Sequence, residues 1–302
     1  MITLETPSLQ MVLHRPDDGF YQGTRFDHSG VFDSLLLQGV ELCGRWFPRY
    51  DPFLHDTVCG PAEEFTPVYV PAGPPGHLRA GGDEGRADGQ IPGSLAVKIG
   101  VGLLEVGTEP YDRFRLYPVA DPGEWELEST PQRVLFRHRL KGYYTYEKTL
   151  AITGEKAFSI GHRLEAYVPL EGEVYNHNFF TLGRLEVTPG RCLDFPFRPE
   201  GTWRAAYDSV GFTAGGIRFS RQLKEGESVY TGNIHQAGTE GMPYRLVLRE
   251  GPLAVHIGGS VPALRTVLWA NHRIACPEPY NAFCVRPGAG FRWTLQYEFK
   301  NE

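Results

Sequence analysis

The stretch Tyr175-Asn176-His177-Asn178-Phe179-Phe180-Thr181-Leu182 sets one imidazole in a strand-like run of aromatics. Histidine is the side chain whose ordinary pKa lies near neutrality, so it can give or take a proton under working conditions. Tyr175, Phe179 and Phe180 would add a rigid, partly apolar wall of the kind a sugar ring stacks against. A second proton-handling candidate is Glu278, in Cys276-Pro277-Glu278-Pro279-Tyr280-Asn281. Its flanking prolines limit the backbone and remove two N–H donors, which predicts a stiff, irregular segment.

Two further blocks place ionisable groups beside Gly or Pro. In Tyr21-Gln22-Gly23-Thr24-Arg25-Phe26-Asp27-His28-Ser29-Gly30, Arg25 offers a planar fork of donors for vicinal hydroxyls or a carboxylate. Asp27 is a candidate ion-pair partner for it and a candidate binding residue. Asp27 and His28 are adjacent, so on a strand they face opposite ways and form no joint dyad. The same rule applies to Glu63 and Glu64 in Gly60-Pro61-Ala62-Glu63-Glu64-Phe65: at most one enters a given pocket. Lys98 interrupts the apolar Val97-Lys98-Ile99-Gly100-Val101-Gly102, and either snorkels to an edge or contacts a ligand or carboxylate.

The elements that must position these groups read as strands. Phe291, Trp293, Leu295, Tyr297 and Phe299 are apolar at every second position, with polar residues between them. The same period fits Tyr144-Tyr146-Lys148-Leu150-Ile152 and Phe158-Ile160-His162-Leu164. Shorter strands are predicted over Val134 to Leu140, Tyr244 to Leu248, Leu253 to Ile257 and Ala263 to Trp269, separated by Gly-containing turns. No strong helix is evident, and the fold class is all-β, a large antiparallel β-sandwich. One domain is expected over 1–302, with a long exposed loop from Pro71 to Gly93, a stretch dense in Gly, Pro and Asp.

Composition agrees and excludes several partners. Gly 36 and Pro 24 in 302 residues disfavour helices, and 13% aromatics favour strands. A net charge of −6, with no Lys/Arg run, argues against nucleic-acid and membrane partners. No apolar run reaches the roughly 18 residues of a spanning helix, and Met1 to Phe20 lacks a signal-peptide apolar core. Five scattered cysteines without a CxxC pair predict free thiols and a cytoplasmic location. Ten histidines show no ligand spacing, so no metal and no cofactor are expected.

With these residues in view, the sequence resembles the galactose mutarotase-like superfamily, and aldose 1-epimerases in particular. The segment Asn176-His177-Asn178-Phe179-Phe180-Thr181-Leu182 is similar to that family's catalytic histidine motif. Glu278-Pro279-Tyr280-Asn281, followed by Pro287-Gly288 and the Phe291 to Phe299 strand, follows the order of its catalytic glutamate segment. The family's upstream Asn-x-x-x-His-Gly-Gly element is missing, and Glu63 and Glu64 lie in roughly that region. The resemblance implies a β supersandwich and cofactor-free interconversion of the α and β anomers of a small sugar. It implies His177 as acid and Glu278 as base, facing one cleft with room for a pyranose ring between them. Arg25, Asp27, Glu64, Lys98, Asn176 and Tyr280 are the expected substrate-binding residues. A polysaccharide lyase or another sugar-active enzyme on the same fold, and a non-catalytic carbohydrate-binding module with Trp46, Trp203 and Tyr280 as platforms, are the alternatives.

Overall fold

The computed structural model describes residues 1–46, 49–70, 79–80, 94–184, 186–235 and 242–301. Apart from Arg79–Ala80, a two-residue strand, the expected Pro71 to Gly93 loop lies outside the described residues. Among the described residues the one helical element is a 3₁₀ turn, His55–Thr57. No helix among the described residues is long and apolar enough to cross a membrane.

The alternating segments all fall within strands. Ten antiparallel strands make the largest sheet, in the order Glu124–Thr130, Arg133–Leu140, Tyr144–Gly154, Ala157–Ala166, Gly290–Asn301, Leu253–Pro262, Pro243–Glu250, Arg191–Asp194, Gly216–Phe219 and Val210–Thr213. Five strands form the layer that carries the candidate residues: Ser228–Tyr230, Arg265–Asn271, Ala275–Val285, Leu170–Phe179 and Gly60–Phe65. Two smaller sheets, one of four strands from Ile2 to Glu41 and one of five strands that includes Ser94–Lys98, complete the fold.

The two larger sheets meet through side chains of opposite phase. Phe65 packs edge-on against Tyr146 and Trp293, with ring centroids 5.4 and 6.1 Å apart. One apolar cluster runs from Leu4 to Phe299 and includes residues of both sheets. Between them lies a buried charged network. Glu63 pairs with Lys148 and, at 3.1 Å, with His162, while Asp27 accepts from Ser29, from Tyr146 at 3.0 Å and from Lys148 at 3.4 Å. Lys148 and His162 are direct partners across two neighbouring strands, so one carboxylate meets both.

Tyr297 ties the final strand to the histidine strand, its hydroxyl lying 2.6 Å from Asn176 Oδ1 and 2.9 Å from Asn178 Oδ1. Removing that hydroxyl leaves buried amide groups without a partner. Tyr297→Phe is therefore expected to lower unfolding free energy by about 1–3 kcal/mol in chemical denaturation. An unchanged midpoint would show that the amides find other partners.

The segment read as irregular, Cys276 to Asn281, is instead part of the central strand Ala275–Val285. Proline normally avoids such positions because it has no ladder donor. Here the register with Leu170–Phe179 runs from Leu170↔Val285 to Tyr175↔Tyr280 and stops where Pro279 and Pro277 have no N–H to give. The Asn178 amide fills part of the gap, donating to the Pro277 carbonyl at 2.8 Å. His177 and Glu278 sit where the backbone ladder lapses.

Candidate active site

Register decides which side chains meet. Tyr175 is paired with Glu64 on one side and with Tyr280 on the other, and Val267 is paired with Glu278. Directly paired residues share a face and alternate residues return to it. Glu64, Tyr175, His177, Glu278 and Tyr280 therefore project from one side of the five-stranded sheet. Glu63 and Asn176 project from the other, towards the ten-stranded sheet.

Glu64 is the hub. It accepts from Arg25 Nε at 2.6 Å, the Tyr175 hydroxyl at 2.8 Å and His177 Nε2 at 3.1 Å, and Arg113 Nε lies 3.7 Å away. Burial opposes its ionisation, but the Arg25 and Arg113 guanidiniums outweigh that and hold its carboxyl well below the usual range. The other ring nitrogen of His177, Nδ1, lies 3.1 Å from Glu278 Oε1. Burial pulls the imidazole's pKa down, but Glu278 and then Glu64 more than offset it, so the net shift is upward from 6.5. The result is a row in which two glutamates flank one imidazole, Glu64–His177–Glu278, with Glu64 and His177 almost wholly out of solvent.

Glu278 is the member that opens outwards. It lines a cleft of about 910 Å³ whose walls include Arg25, Trp46, Arg113, Tyr230 and Trp269. Trp46 and Trp269 stack at 4.5 Å along one wall. Arg25 lies between aromatic rings, its Cζ 4.8 Å from the Phe26 centroid and 4.9 Å from that of Phe114.

The expected geometry needs correcting on several points. His177 and Glu278 do not flank a space for a pyranose ring; they stand side by side in contact, because both project from one face of neighbouring strands. Arg25 pairs with Glu64, not Asp27. Asp27 turns into the inter-sheet network, held by Lys148, Tyr146 and Ser29, and does not line the cleft. Asn176 faces Tyr297 on the same inner side. Lys98 reaches no edge: it is fully buried, donates to the Phe65 carbonyl, and is pushed down to about 7 by burial despite the nearby Glu64. Tyr280 is also buried, stacked on Tyr175 at 4.3 Å, with its hydroxyl 3.5 Å from Glu278 Oε2.

Arg113 went unnoticed in the sequence, since Pro110-Tyr111-Asp112-Arg113-Phe114 carries no periodic signal and reaches the site only through the fold. Lys148 and His162 did carry one: each occupies an apolar phase of an alternating strand, where a polar residue must find a buried partner. Cys276 also lies close, its Sγ and ligand atoms of His177 and Glu278 all within 4.8 Å of one another. Burial and the Glu278 charge push the Cys276 thiol up, which disfavours the thiolate that a metal would need.

No family model matches the sequence, and no curated protein matches it. Solved structures do. The Slr1438 protein from Synechocystis sp. PCC 6803 matches with a TM-score of 0.57 and 14% identity over 100% of this chain and 96% of its own. The galactose mutarotase related enzyme from Lactobacillus acidophilus matches with a TM-score of 0.54 and 9% identity, over 100% and 99%. A galactose mutarotase-like protein from Clostridium acetobutylicum gives 0.53 and 12%, over 99% and 95%. At these identities the likeness is one of fold, and the fold is galactose mutarotase-like.

Proposed function

From this galactose mutarotase-like fold, we propose that the chain is an aldose 1-epimerase, interconverting the α and β anomers of a sugar by general acid–base catalysis. The observation that carries the reading is the contact between Glu278, open to the cleft, and the His177 imidazolium beside it. Anomer exchange requires a proton taken from the C1 hydroxyl and another given to the ring oxygen. Both oxygens are bonded to one carbon, so an adjacent acid and base can reach them together.

In this mechanism Glu278 accepts the C1 hydroxyl proton while His177 Nδ1–H donates to the ring oxygen. The C1–O5 bond breaks, C1 becomes an aldehyde carbon, and rotation about C1–C2 presents its other face. Return of the two protons closes the ring as the opposite anomer. His177 Nδ1 is buried within ion-pair distance of Glu278 and makes no aligned hydrogen bond, so its N–H is not committed to another acceptor. Glu64 keeps the imidazole protonated and oriented, and Arg25 fixes Glu64. No cofactor enters these steps. A reducing, cytoplasmic setting fits the buried thiols of Cys43, Cys59 and Cys276.

The test is exchange spectroscopy by NMR, or polarimetry, on freshly dissolved aldoses and their phosphates and uronates. An absence of acceleration over buffer with every sugar would remove the reading. A pH dependence follows as well. His177 is active here as the imidazolium and its pKa is raised, so activity should persist through pH 6.5 and fall as pH rises through the elevated value. A kcat profile whose falling limb lies at or below 6.5 would contradict His177 as the proton donor.

A further inference from the structure

Resting on the epimerase reading of the same cleft, we propose that the substrate is an anionic sugar, whose phosphate or carboxylate is bound by the arginines of the cleft wall. The wall presents three guanidiniums, Arg25, Arg113 and Arg204, and two carboxylates, Asp112 and Glu278. Glu64 is answered by Arg25 and His177, and Arg25 meets it through Nε.

Donors are also left over. Arg25 Nη1 and the Tyr111 hydroxyl are buried without a hydrogen-bond partner, and both residues line the cleft. A buried N–H or O–H without an acceptor is costly, and an oxyanion supplies acceptors that need no proton of their own. Arg204 is exposed at the cleft wall. Its guanidinium lies 5.7 Å from the Tyr230 ring centroid, and no carboxylate among the described residues pairs with it. A planar guanidinium steadied by a ring and facing a site for sugars is suited to bidentate binding of phosphate or carboxylate.

The experiment compares glucose, glucose 6-phosphate and glucuronate in the anomer-exchange assay, using wild type, Arg204→Gln and Arg204→Lys. The expected result is a kcat/KM for one or both anions above that for glucose, with Arg204→Gln lowering the anion-to-glucose ratio by about 10–100-fold, chiefly through KM. Arg204→Lys should restore part of the ratio. Preference for the 6-phosphate identifies a phosphate site, and preference for glucuronate a carboxylate site. Binding is read separately, by calorimetry with the same three sugars. Glucose 6-phosphate or glucuronate that binds wild type, loses affinity in Arg204→Gln and is not turned over would keep the anion site and remove the epimerase reading. Glucose turned over as well as both anions, with a ratio that Arg204→Gln leaves alone, would overturn the anion site and keep the epimerase.

Discussion

Glu278→Gln is expected to lower kcat for anomer exchange by about 10²–10⁴-fold, the range that loss of a general base commands. Glu278 is the carboxylate of the row that lines the cleft, and Glu64, beneath it, is already committed to Arg25, Tyr175 and His177. Glutamine keeps the shape and the hydrogen-bonding reach but accepts no proton. The same change removes the larger of the two carboxylate influences that raise the His177 pKa, so a smaller fraction of His177 carries the proton to be donated. The two losses are therefore one event. His177→Asn should cost a comparable factor, and the double variant should be little worse than either single, as for residues that act as a unit. Saturation-transfer NMR at fixed sugar concentration measures the rates, and thermal unfolding shows whether the fold survives. Rates within about tenfold of wild type for Glu278→Gln in a folded protein would end the general-base assignment.

How much of this was legible in the sequence depends on the kind of regularity involved. Strand alternation is local, so Phe291 to Phe299 and Phe158 to Leu164 lie inside the strands Gly290–Asn301 and Ala157–Ala166. Alternation also separates Glu63 from Glu64: one joins Lys148 and His162 between the sheets, the other joins Arg25 and His177 on the cleft side. Pairing across the sheet was not legible. Nothing near Arg25 distinguishes Glu64, 39 residues on, from Asp27, two residues on, and the choice is made by the strand Gly60–Phe65 lying against Leu170–Phe179. The Pro277 and Pro279 signal pointed to irregular backbone, whereas the sheet absorbs both prolines by letting one ladder lapse and using an Asn178 side chain instead. That lapse helps explain the close approach of His177 and Glu278. Their 3.1 Å contact depends on two strands more than ninety residues apart, which no local pattern records.

Glu64→Gln should be the most damaging single change for stability, and it tests the row from its buried end. Glu64 and Arg25 have side-chain exposures of 1% and 5%, and Arg113 also leans on the same carboxylate. Removing the negative charge leaves Arg25 as a buried guanidinium without its counter-charge, which typically costs about 3–5 kcal/mol. The pH dependence carries the sign. The Glu64 carboxyl is held well below 4.5, so its contribution is fully present above that value and is lost as pH falls through the depressed one. Glu64→Gln should thus be less stable than wild type at neutral pH, with the gap narrowing in acid. A surviving variant should also show its falling kcat limb at lower pH, because His177 has lost one of the two carboxylates that keep it protonated. Urea unfolding at neutral and acid pH, together with the kcat profile, separates the two effects. Equal stability at neutral pH would show that Arg25 does not depend on Glu64. An unmoved limb would show that Glu64 has no hold on the His177 proton, and the row would then reduce to the His177–Glu278 pair.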